Sequence, residues 1–239
     1  MDRANNKLIA RLCHRRFGIG ADGLILLEDA ERAGFSMLYF NADGFEGTMC
    51  GNGGRCVTAF AHSIGMIGEE ANFIASDGIH MGKILKMNDP VWMIKLSLND
   101  VLSFEKYDDG YSLNTGSPHF VKFVNDVEST DVIMQGKKLR WDYRFQPEGI
   151  NVNFVEANKN KLIVKTFERG VEDHTLSCGT GITASAIAAA LHSGESFQGY
   201  EVVSPGGTLK VSFERNTDKF TNILLEGPAE KVFEGTIHI

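Results

Sequence analysis

A short motif occurs twice in this chain, each time directly before an apolar run of helical length. Cys50-Gly51-Asn52-Gly53 precedes residues 55–64, and Cys178-Gly179-Thr180-Gly181 precedes residues 182–191. A polar turn lies upstream of each copy, at residues 41–44 and 168–170. Each half is therefore predicted to run strand, polar turn, loop, cysteine and buried helix, which indicates an internal duplication. Two halves related by a pseudo-twofold axis would bring both cysteines to one cleft from opposite sides.

Both repeated cysteines stand where a helix begins, and this position favours a charged sulfur. The first N–H groups of a helix have no partner within the helix, and the helix dipole favours negative charge there. The thiolate is the reactive form of a cysteine. The glycines that follow Cys50 and Cys178 would let another molecule approach the backbone closely. We therefore predict that both sulfurs are reactive.

Length and charge limit the class of protein. The chain has 239 residues, of which 43% are hydrophobic, and this suits two domains with ordinary cores. The net charge of −7 argues against a nucleic-acid or anionic-membrane partner. No apolar run approaches the roughly 18 residues of a membrane span, and the polar amino end lacks the apolar core of a signal peptide. We expect a soluble, cytoplasmic protein.

The remaining cysteines do not suggest a metal site or disulfides. Cys13 and Cys56 lie on apolar helical faces and are predicted to be small buried hydrophobes. Structural disulfides are not expected in a reducing compartment, and no Cys-x-x-Cys or spaced Cys/His set predicts zinc. Residues 18–23 contain Gly-x-Gly-x-x-Gly after a helix rather than a strand, so we interpret them as a tight loop and not a nucleotide site.

Periodicity and turn residues predict the other elements and the fold class. We predict α/β (α+β) architecture in two domains, formed by residues 1–112 with 227–239 and by residues 113–226. The segment 127–149 is predicted as surface helix and loop, and Gly227-Pro228 as a break. The two apolar helices lack a strong polar face, so each is expected to be wrapped by a sheet. A further helix is predicted at 7–17, and strands at 24–27, 35–40, 73–75, 79–85, 92–98, 120–124, 151–156, 162–167, 201–203, 209–213, 222–225 and 231–237.

Two thiols that face each other suit inversion at a weakly acidic carbon. One sulfur, as thiolate, would remove the hydrogen from one face, and the other, as thiol, would deliver a proton to the opposite face. This is general acid–base catalysis by a matched pair of groups. Backbone N–H groups at the two helix ends would stabilise the substrate carboxylate and the developing charge. No lysine lies in a motif that suggests a pyridoxal Schiff base, so we expect no cofactor.

The repeated motifs resemble those of a known enzyme family. Residues 41–44, 49–56, 168–170 and 178–181, in this order, are similar to the signatures of the diaminopimelate epimerases, and residues 17–23 resemble a further family segment. The resemblance implies two pseudo-symmetric domains, each a β-barrel-like sheet around a central helix. It also implies cofactor-independent epimerisation of LL-2,6-diaminopimelate to the meso form, in lysine and peptidoglycan-precursor biosynthesis. By position, Cys50 and Cys178 would be the two bases.

The same resemblance assigns the substrate contacts. Gly51, Asn52, Gly179 and Thr180 would hold the reacting carboxylate, Asn41, Asn151 and Arg169 the distal amino-acid end, and Glu168 an ammonium group. His119 resembles a histidine beside one cysteine of the family, and Ser117 stands where the family commonly has asparagine, with less reach. Two neighbours are predicted to be structural: Asp43 in an Asx turn, and Arg55 as the anchor of its own helix.

Several alternatives remain open. A proline or hydroxyproline racemase of the same fold would also use two cysteines, although such enzymes usually carry histidine at the position of Asn52. A non-catalytic homologue is a second alternative, because the family's usual amino-terminal strand is not found before the helix at residue 7. The two thiols could also form a thiol–disulfide switch. Both a monomer and a homodimer are compatible with the sequence.

Overall fold

A computed structural model describes residues 5–194, 197 and 199–238. These residues form a mixed α+β fold in two compact units. Unit 1 comprises Met1–Leu96 and Pro228–Ile239, and unit 2 comprises Ser97–Gly227. Residues 97–112, which the sequence-based boundary assigns to the first half, lie in unit 2. The strands that begin at residues 104 and 110 extend the sheet of that unit, through the strand that begins at residue 118. No helix in the described part of the chain is long and apolar enough to span a membrane.

Unit 1 is a sheet with two helices. Its strands lie in the order β1-β2-β3-β4-β5. β2 and β3 are parallel, and the other neighbours are antiparallel. Helix α2 connects the parallel pair. The elements are α1 (Asn6–Cys13), β1 (Gly23–Glu28), β2 (Phe35–Asn41), α2 (Gly51–Ser63), β3 (Glu70–Ala75), β4 (Gly78–Asn88) and β5 (Val91–Ser97).

Unit 2 contains the longer sheet. Its strands lie in the order β14-β13-β12-β10-β9-β8-β7-β6, and β11 pairs with β10. Helices α3 and α4 both contact β9 and β10. The elements are β6 (Phe104–Tyr107), β7 (Gly110–Asn114), β8 (Pro118–Phe123), α3 (Val132–Arg140), β9 (Asn151–Asn158), β10 (Lys161–Glu168), β11 (Asp173–Thr175), α4 (Gly179–Ser193), β12 (Gly199–Ser204), β13 (Gly207–Asn216) and β14 (Lys219–Glu230).

The predicted duplication is confirmed by the strand connections within each unit. The series β1-β2-α2-β3-β4-β5 has the same pairing directions as β9-β10-α4-β12-β13-β14: antiparallel, parallel, antiparallel, antiparallel. In both series, the helix that crosses between the parallel strands begins directly after a cysteine of the repeated motif. Each cysteine therefore occupies the same place in its own unit.

The two central helices differ in how far they are buried. Helix α4 is buried at every residue from Gly179 to Ala190, as its apolar composition predicts. Helix α2 packs through its glycines, Val57 and Ala61, and the opposite face leaves Cys56 exposed and Phe60 53% exposed. Helix α2 is therefore less deeply buried than α4, and the expectation that Cys56 is buried was wrong. Cys13 is buried, as predicted.

The carboxyl-terminal prediction also needs correction. Gly227-Pro228 does not break the chain, because β14 runs through it to Glu230. Proline has no N–H to donate, but the carbonyl oxygen of Pro228 accepts a hydrogen bond from Arg55 Nε at 3.2 Å. The predicted strand 231–237 is absent from the described residues: this segment is exposed and has no regular structure. Helix α1 is shorter than predicted, since it ends at Cys13 and His14 is extended.

Candidate active site

Cys50 caps helix α2 in unit 1. Its backbone is extended, with φ −109° and ψ 120°, and its sulfur accepts a hydrogen bond from the N–H of Gly53 at 3.5 Å. Its carbonyl oxygen accepts from Gly54 N–H at 2.8 Å, which begins the helix. Cys50 is half-buried. A donor of the first helical turn is therefore directed at the sulfur, and this arrangement favours the thiolate.

The glycines after Cys50 are also needed for packing. A Cβ atom on Gly53 would lie 3.0 Å from Met37 Cε, and one on Gly54 would lie 2.8 Å from side-chain atoms of Leu96 and Met49. Contacts this short would force the ends of these side chains to shift. Close packing of α2 therefore explains these glycines, in addition to any access they give to a ligand.

Arg55 ties the start of α2 together. Its guanidinium is only 6% exposed and donates to Gly51 O at 3.2 Å, to Asn52 Oδ1 at 3.0 Å and to Pro228 O at 3.2 Å. Burial lowers the pKa of Arg55 from its ordinary value. The residue anchors its own helix, as predicted from sequence. It also orients the side chain of Asn52, which the family resemblance places at the reacting carboxylate.

Arg55→Lys is expected to destabilise unit 1. Lysine cannot reproduce a planar fork that reaches three acceptors, so buried oxygens would lose their donors at a cost of about 2–4 kcal/mol in the free energy of unfolding. Denaturant titration measures this loss. Arg16→Lys, at an exposed position, is the control and should change stability little. Equal stability of the two variants would contradict the anchoring role.

The polar turn after β2 contains two polar side chains with different roles, Asn41 and Asp43. Asp43 Oδ1 accepts from Phe45 N–H at 3.0 Å, so Asp43 closes the turn, as expected. Asn41 lies at the end of β2 and is exposed. The contact of its side chain with a substrate stays a prediction.

Cys178 occupies the corresponding position in unit 2. Its backbone is extended, with φ −117° and ψ 107°, and its carbonyl oxygen accepts from Ile182 N–H at 2.8 Å. Its sulfur lies 3.4 Å from Thr180 Oγ1. Thr180 is held in place in turn, because Thr115 Oγ1 donates to its carbonyl oxygen at 2.8 Å. The half-buried sulfur therefore has a hydroxyl group beside it as well as the start of α4.

A buried histidine lies behind Thr180. His119 on β8 is fully buried, and its Nε2 is 2.9 Å from both Ser117 Oγ and Thr180 Oγ1. Its Nδ1 is 3.0 Å from Asn153 Nδ2. Burial lowers the pKa of His119 to about 3, and the positive charge of Arg169 acts in the same direction. The structure thus brings His119 and Ser117 together with Thr180, and the imidazole is neutral at physiological pH.

Acidification is expected to destabilise the protein through this histidine. The pKa of His119 falls from 6.5 to about 3. Between these values the unfolded chain binds the proton and the native protein does not. The free energy of unfolding therefore decreases as the pH falls through this window, by at most about 1.4 kcal/mol per pH unit. Denaturant titrations from pH 7 to pH 4 should show a shallower decrease for His119→Gln. Parallel curves for the two proteins would contradict the assignment.

The distal-site residues meet at the ends of β9 and β10. Asn151 is 4% exposed, and its Oδ1 accepts from the backbone N–H of Arg169 at 2.8 Å. Its Nδ2 donates to Pro118 O at 2.8 Å. Asn151 therefore holds the backbone from which the Arg169 side chain projects. The Arg169 guanidinium lies 3.9 Å from the carboxylate of Glu148, which is 83% exposed, so this ion pair contributes little to stability.

Glu168 ends β10, where it is half-buried and pairs in register with Asp173 of β11. Its contact with a substrate ammonium group stays a prediction, as do direct substrate contacts for Asn52 and Asn151. Gly179 is buried at the first position of α4. Its backbone N–H belongs to the first turn of α4, next to Cys178, and this position suits the predicted role in binding a carboxylate.

Sequence reasoning missed two buried polar residues of this cluster, Asn153 and Thr166. Asn153 Oδ1 accepts from Thr166 Oγ1 at 2.9 Å, and both residues are buried. They lie directly opposite each other on β9 and β10. Alternation along a strand could have found Asn153, because it stands two residues after Asn151 and thus on the same face.

Gly181 is the place where α4 approaches this cluster most closely. A Cβ atom there would lie 2.4 Å from Asn153 Oδ1 and 3.1 Å from His119 Cε1. Gly181→Ala is expected to cost about 1–3 kcal/mol through overpacking, despite alanine's better helix propensity. It should also lower kcat, because the side chains behind Cys178 must move.

The matched control for this substitution is Gly68→Ala, where the added carbon would meet nothing within 4 Å. Thermal unfolding and steady-state kinetics of the two variants measure the difference. A Gly181→Ala protein as stable and active as the Gly68→Ala protein would show that the close approach does not matter.

Within the residues that the structure describes, no group of three or more His, Cys, Asp or Glu side chains is arranged to hold a metal ion. The polar side chains at the start of α2 are the amide of Asn52 and the guanidinium of Arg55, and beside Cys178 the hydroxyl of Thr180 is backed by His119. These groups suit hydrogen bonds to a carboxylate and to a thiolate.

Comparison with known proteins identifies relatives along nearly the whole chain. A family model described as "Diaminopimelate epimerase" matches residues 2–89 and 111–232. The chain is similar to the diaminopimelate epimerase of Flavobacterium psychrophilum, with 46% identity over 236 residues, covering 98% of this chain and 91% of that protein. It is also similar to the diaminopimelate epimerase of Chlorobaculum tepidum, with 42% identity over 241 residues, covering 96% of this chain and 90% of that protein.

Solved structures with the same fold are more distant in sequence. A phenazine biosynthesis protein of the PhzF family from Bacillus anthracis aligns with a TM-score of 0.71 at 12% identity, covering 98% of this chain and 90% of that chain. A hydroxyproline epimerase from Agrobacterium vitis aligns with a TM-score of 0.68 at 15% identity, covering 94% of this chain and 78% of that chain. At these identities the likeness establishes the fold alone, and it agrees with the fold class predicted from sequence.

Proposed function

The chain belongs to the diaminopimelate epimerase family, and we propose that it is an isomerase that interconverts LL- and meso-2,6-diaminopimelate. The observation that supports this proposal most strongly is the repeated placement of cysteine. Cys50 and Cys178 each cap the helix that crosses between the parallel strands of a unit. The relatives at 46% and 42% identity carry the name of this activity. The reaction belongs to lysine and peptidoglycan-precursor biosynthesis.

We propose a two-base mechanism that needs no cofactor. One cysteine thiolate removes the hydrogen from the α-carbon, which forms the S–H bond and leaves the electron pair on the carbon. The other cysteine, as thiol, delivers its proton to the opposite face and becomes the thiolate. The configuration is inverted, the total number of protons is unchanged, and the roles are exchanged for the reverse reaction. Positioned acid–base groups of this kind contribute about 10²- to 10⁴-fold each.

The surrounding groups would stabilise the charge that develops on the substrate. We propose that the N–H groups at the start of α2 and α4, at Gly51, Asn52, Gly179 and Thr180, hold the carboxylate of the reacting centre. Hydrogen-bond donors at a developing negative charge lower the barrier most when they are already in place. The hydrogen bond from Gly53 N–H to Cys50 Sγ and the three hydrogen bonds donated by the Arg55 guanidinium support such preorganisation at Cys50.

The far end of the substrate would be bound by charged groups of the second unit. The guanidinium of Arg169 suits the distal carboxylate, because its planar fork matches two oxygens. We propose that Glu168 binds the distal ammonium group and that Asn41 adds a polar contact. Asn151 supports this end through the backbone of Arg169. The presence of both an acidic and a basic side chain at the end of β10 favours a substrate with two amino-acid ends.

Turnover of LL-diaminopimelate against L-proline tests the substrate assignment. We expect the purified, reduced protein to convert LL-diaminopimelate to the meso isomer and not to racemise proline. Chiral chromatography measures both reactions. Activity on proline or hydroxyproline alone would replace the proposal by the racemase alternative. A folded, reduced protein that turns over neither substrate would support a non-catalytic homologue.

We also propose that the enzyme works in the cytoplasm. Its acidic composition and the reactive thiols required by the mechanism suit a reducing compartment. The proposed partner is the small diamino-dicarboxylate substrate. Light scattering on the purified protein would determine whether it is a monomer or a homodimer.

A further inference from the structure

The direction of the hydrogen bonds behind Cys178 can be worked out from groups that can only donate or only accept. Asn153 Nδ2 lies 3.4 Å from Phe120 O, and a carbonyl oxygen only accepts. Asn153 Oδ1 receives the hydroxyl proton of Thr166 at 2.9 Å. The contact with Phe120 O sets the orientation of the Asn153 amide, and the Thr166 hydroxyl, which can donate, agrees with it. Its NH₂ group therefore faces His119 Nδ1 at 3.0 Å, and that ring nitrogen must be an acceptor without a proton.

This orientation determines the tautomer of His119. With Nδ1 unprotonated, the ring proton of the neutral imidazole is on Nε2. Nε2–H then shares its single proton, in a three-centre hydrogen bond, between the two hydroxyl oxygens that lie 2.9 Å away, on Ser117 and Thr180. The histidine is thus a neutral donor toward the cysteine side of the cluster.

Asn151 supplies a second donor to Ser117. The amide of Asn151 is oriented by Arg169 N–H, which donates to its Oδ1, and by Pro118 O, which accepts from its Nδ2. The same Nδ2 lies 3.3 Å from Ser117 Oγ. Ser117 Oγ therefore receives donors from both Asn151 and His119, which occupy its two lone pairs. Its own proton is left for Thr180 Oγ1, at 3.3 Å.

Thr180 is the last hydroxyl of the series. Its Oγ1 receives donors from His119 and from Ser117, so its lone pairs are also occupied. Its own proton is then directed to Cys178 Sγ, at 3.4 Å. A hydrogen bond to the charged form of a group favours that form.

We infer that Asn153 and Thr166 are positioning residues, which hold His119 as the Nε2–H tautomer so that the Thr180 hydroxyl donates to Cys178 and stabilises its thiolate. The inference takes its catalytic meaning from the proposed function. The series runs Thr166, Asn153, His119, Thr180, Cys178, and every member lies in unit 2. A cluster that served only to satisfy buried polar atoms would stabilise the fold without changing the titration of the sulfur.

The pH dependence of alkylation at Cys178 distinguishes these two roles. The background is the full chain with Cys50→Ala, treated with iodoacetamide and analysed by mass spectrometry of the Cys178 peptide. Loss of the hydroxyl in Thr180→Val should raise the pH midpoint by about one unit. Thr166→Val acts through three intervening side chains and should raise it by about half a unit. Thr166→Ser keeps the hydroxyl and should restore the original midpoint.

The matched control is Thr183→Val. Thr183 is equally buried, but its hydroxyl donates to Gly179 O, one turn back in α4, and to no side chain among the described residues. It should lower stability without moving the midpoint. The inference is overturned if Thr166→Val is folded and has the midpoint of the parent protein, or if Thr183→Val moves the midpoint as far as Thr166→Val does.

A measurement on the unsubstituted protein keeps the inference testable if Thr166→Val does not fold. Nitrogen-15 NMR of labelled histidine should show an unprotonated Nδ1 and a protonated Nε2 for His119 at every pH from 5 to 9. A proton on Nδ1, or titration of His119 within this range, would overturn it. A normal result here together with no turnover of LL-diaminopimelate would reject the proposed function and leave the tautomer assignment standing.

Discussion

Alanine in place of either Cys50 or Cys178 is expected to lower kcat for epimerisation about 10³- to 10⁴-fold. In the forward direction one sulfur removes the hydrogen and the other supplies the proton, so each variant lacks a group that every turnover requires. The effects of the two substitutions should not add, because residues that act as a unit are strongly non-additive. The double variant is therefore expected to be no more than slightly slower than either single one. Chiral chromatography of the product measures this rate.

Both variants should remain folded. Cys50 accepts one N–H of α2 through its sulfur, and loss of such a cap costs about 1 kcal/mol. Circular dichroism and denaturant titration check this point. Cys56→Ala is the control, because this thiol is exposed on the outer face of α2, and it should retain full activity. Epimerisation within tenfold of the parent rate in either Cys50→Ala or Cys178→Ala would rule out two essential bases.

Arg169→Gln is expected to lower kcat/KM for LL-diaminopimelate about 10²- to 10³-fold. The substitution removes the charge that would bind the distal carboxylate. Binding energy from a remote part of the substrate also positions the reacting carbon, so both kcat and KM should change. Stability should be nearly unchanged. The backbone N–H of Arg169 still donates to Asn151 Oδ1, and within the described part of the chain its guanidinium forms an ion pair only with Glu148, at the long distance of 3.9 Å.

Glu148→Gln is the matched control for this variant. It removes the acidic partner at 3.9 Å and leaves the guanidinium in place, so kcat/KM should stay within about twofold of the parent value. Arg169→Lys should recover part of the loss, since it restores the charge without the planar fork. Unchanged kinetics in Arg169→Gln would remove Arg169 from the substrate site.

The duplicated framework could be predicted from sequence because its signals are local. A cysteine, two glycines and a long apolar run stand next to each other in the chain, twice, and the structure starts a helix at Gly51 and at Gly179. The two strands that form the β9–β10 hairpin were also predicted, at 151–156 and 162–167, because two apolar runs flank a short polar turn. These elements depend on neighbours within a few residues.

The network behind Cys178 could not be predicted in the same way, because its partners meet through strand pairing. His119 lies beside Asn151 only because β8 and β9 are parallel with that register, and Thr166 faces Asn153 across β9 and β10. The exposed face of α2 and the continuation of β14 through Pro228 are likewise set by packing. In each case the sequence shows which groups are available but not which ones meet.

Solvent hydrogen in the product tests most directly whether two sulfurs act on opposite faces of one carbon. The enzyme is equilibrated in deuterium oxide, and LL-diaminopimelate is converted to about a twentieth of completion. Substrate and product are then separated, and their deuterium content is measured by mass spectrometry. A donor thiol that exchanges with solvent before each turnover delivers deuterium, and the hydrogen removed stays on the other sulfur. The account predicts one deuterium in nearly every meso product and almost none in the remaining LL substrate. Product that keeps the substrate's own hydrogen would contradict it.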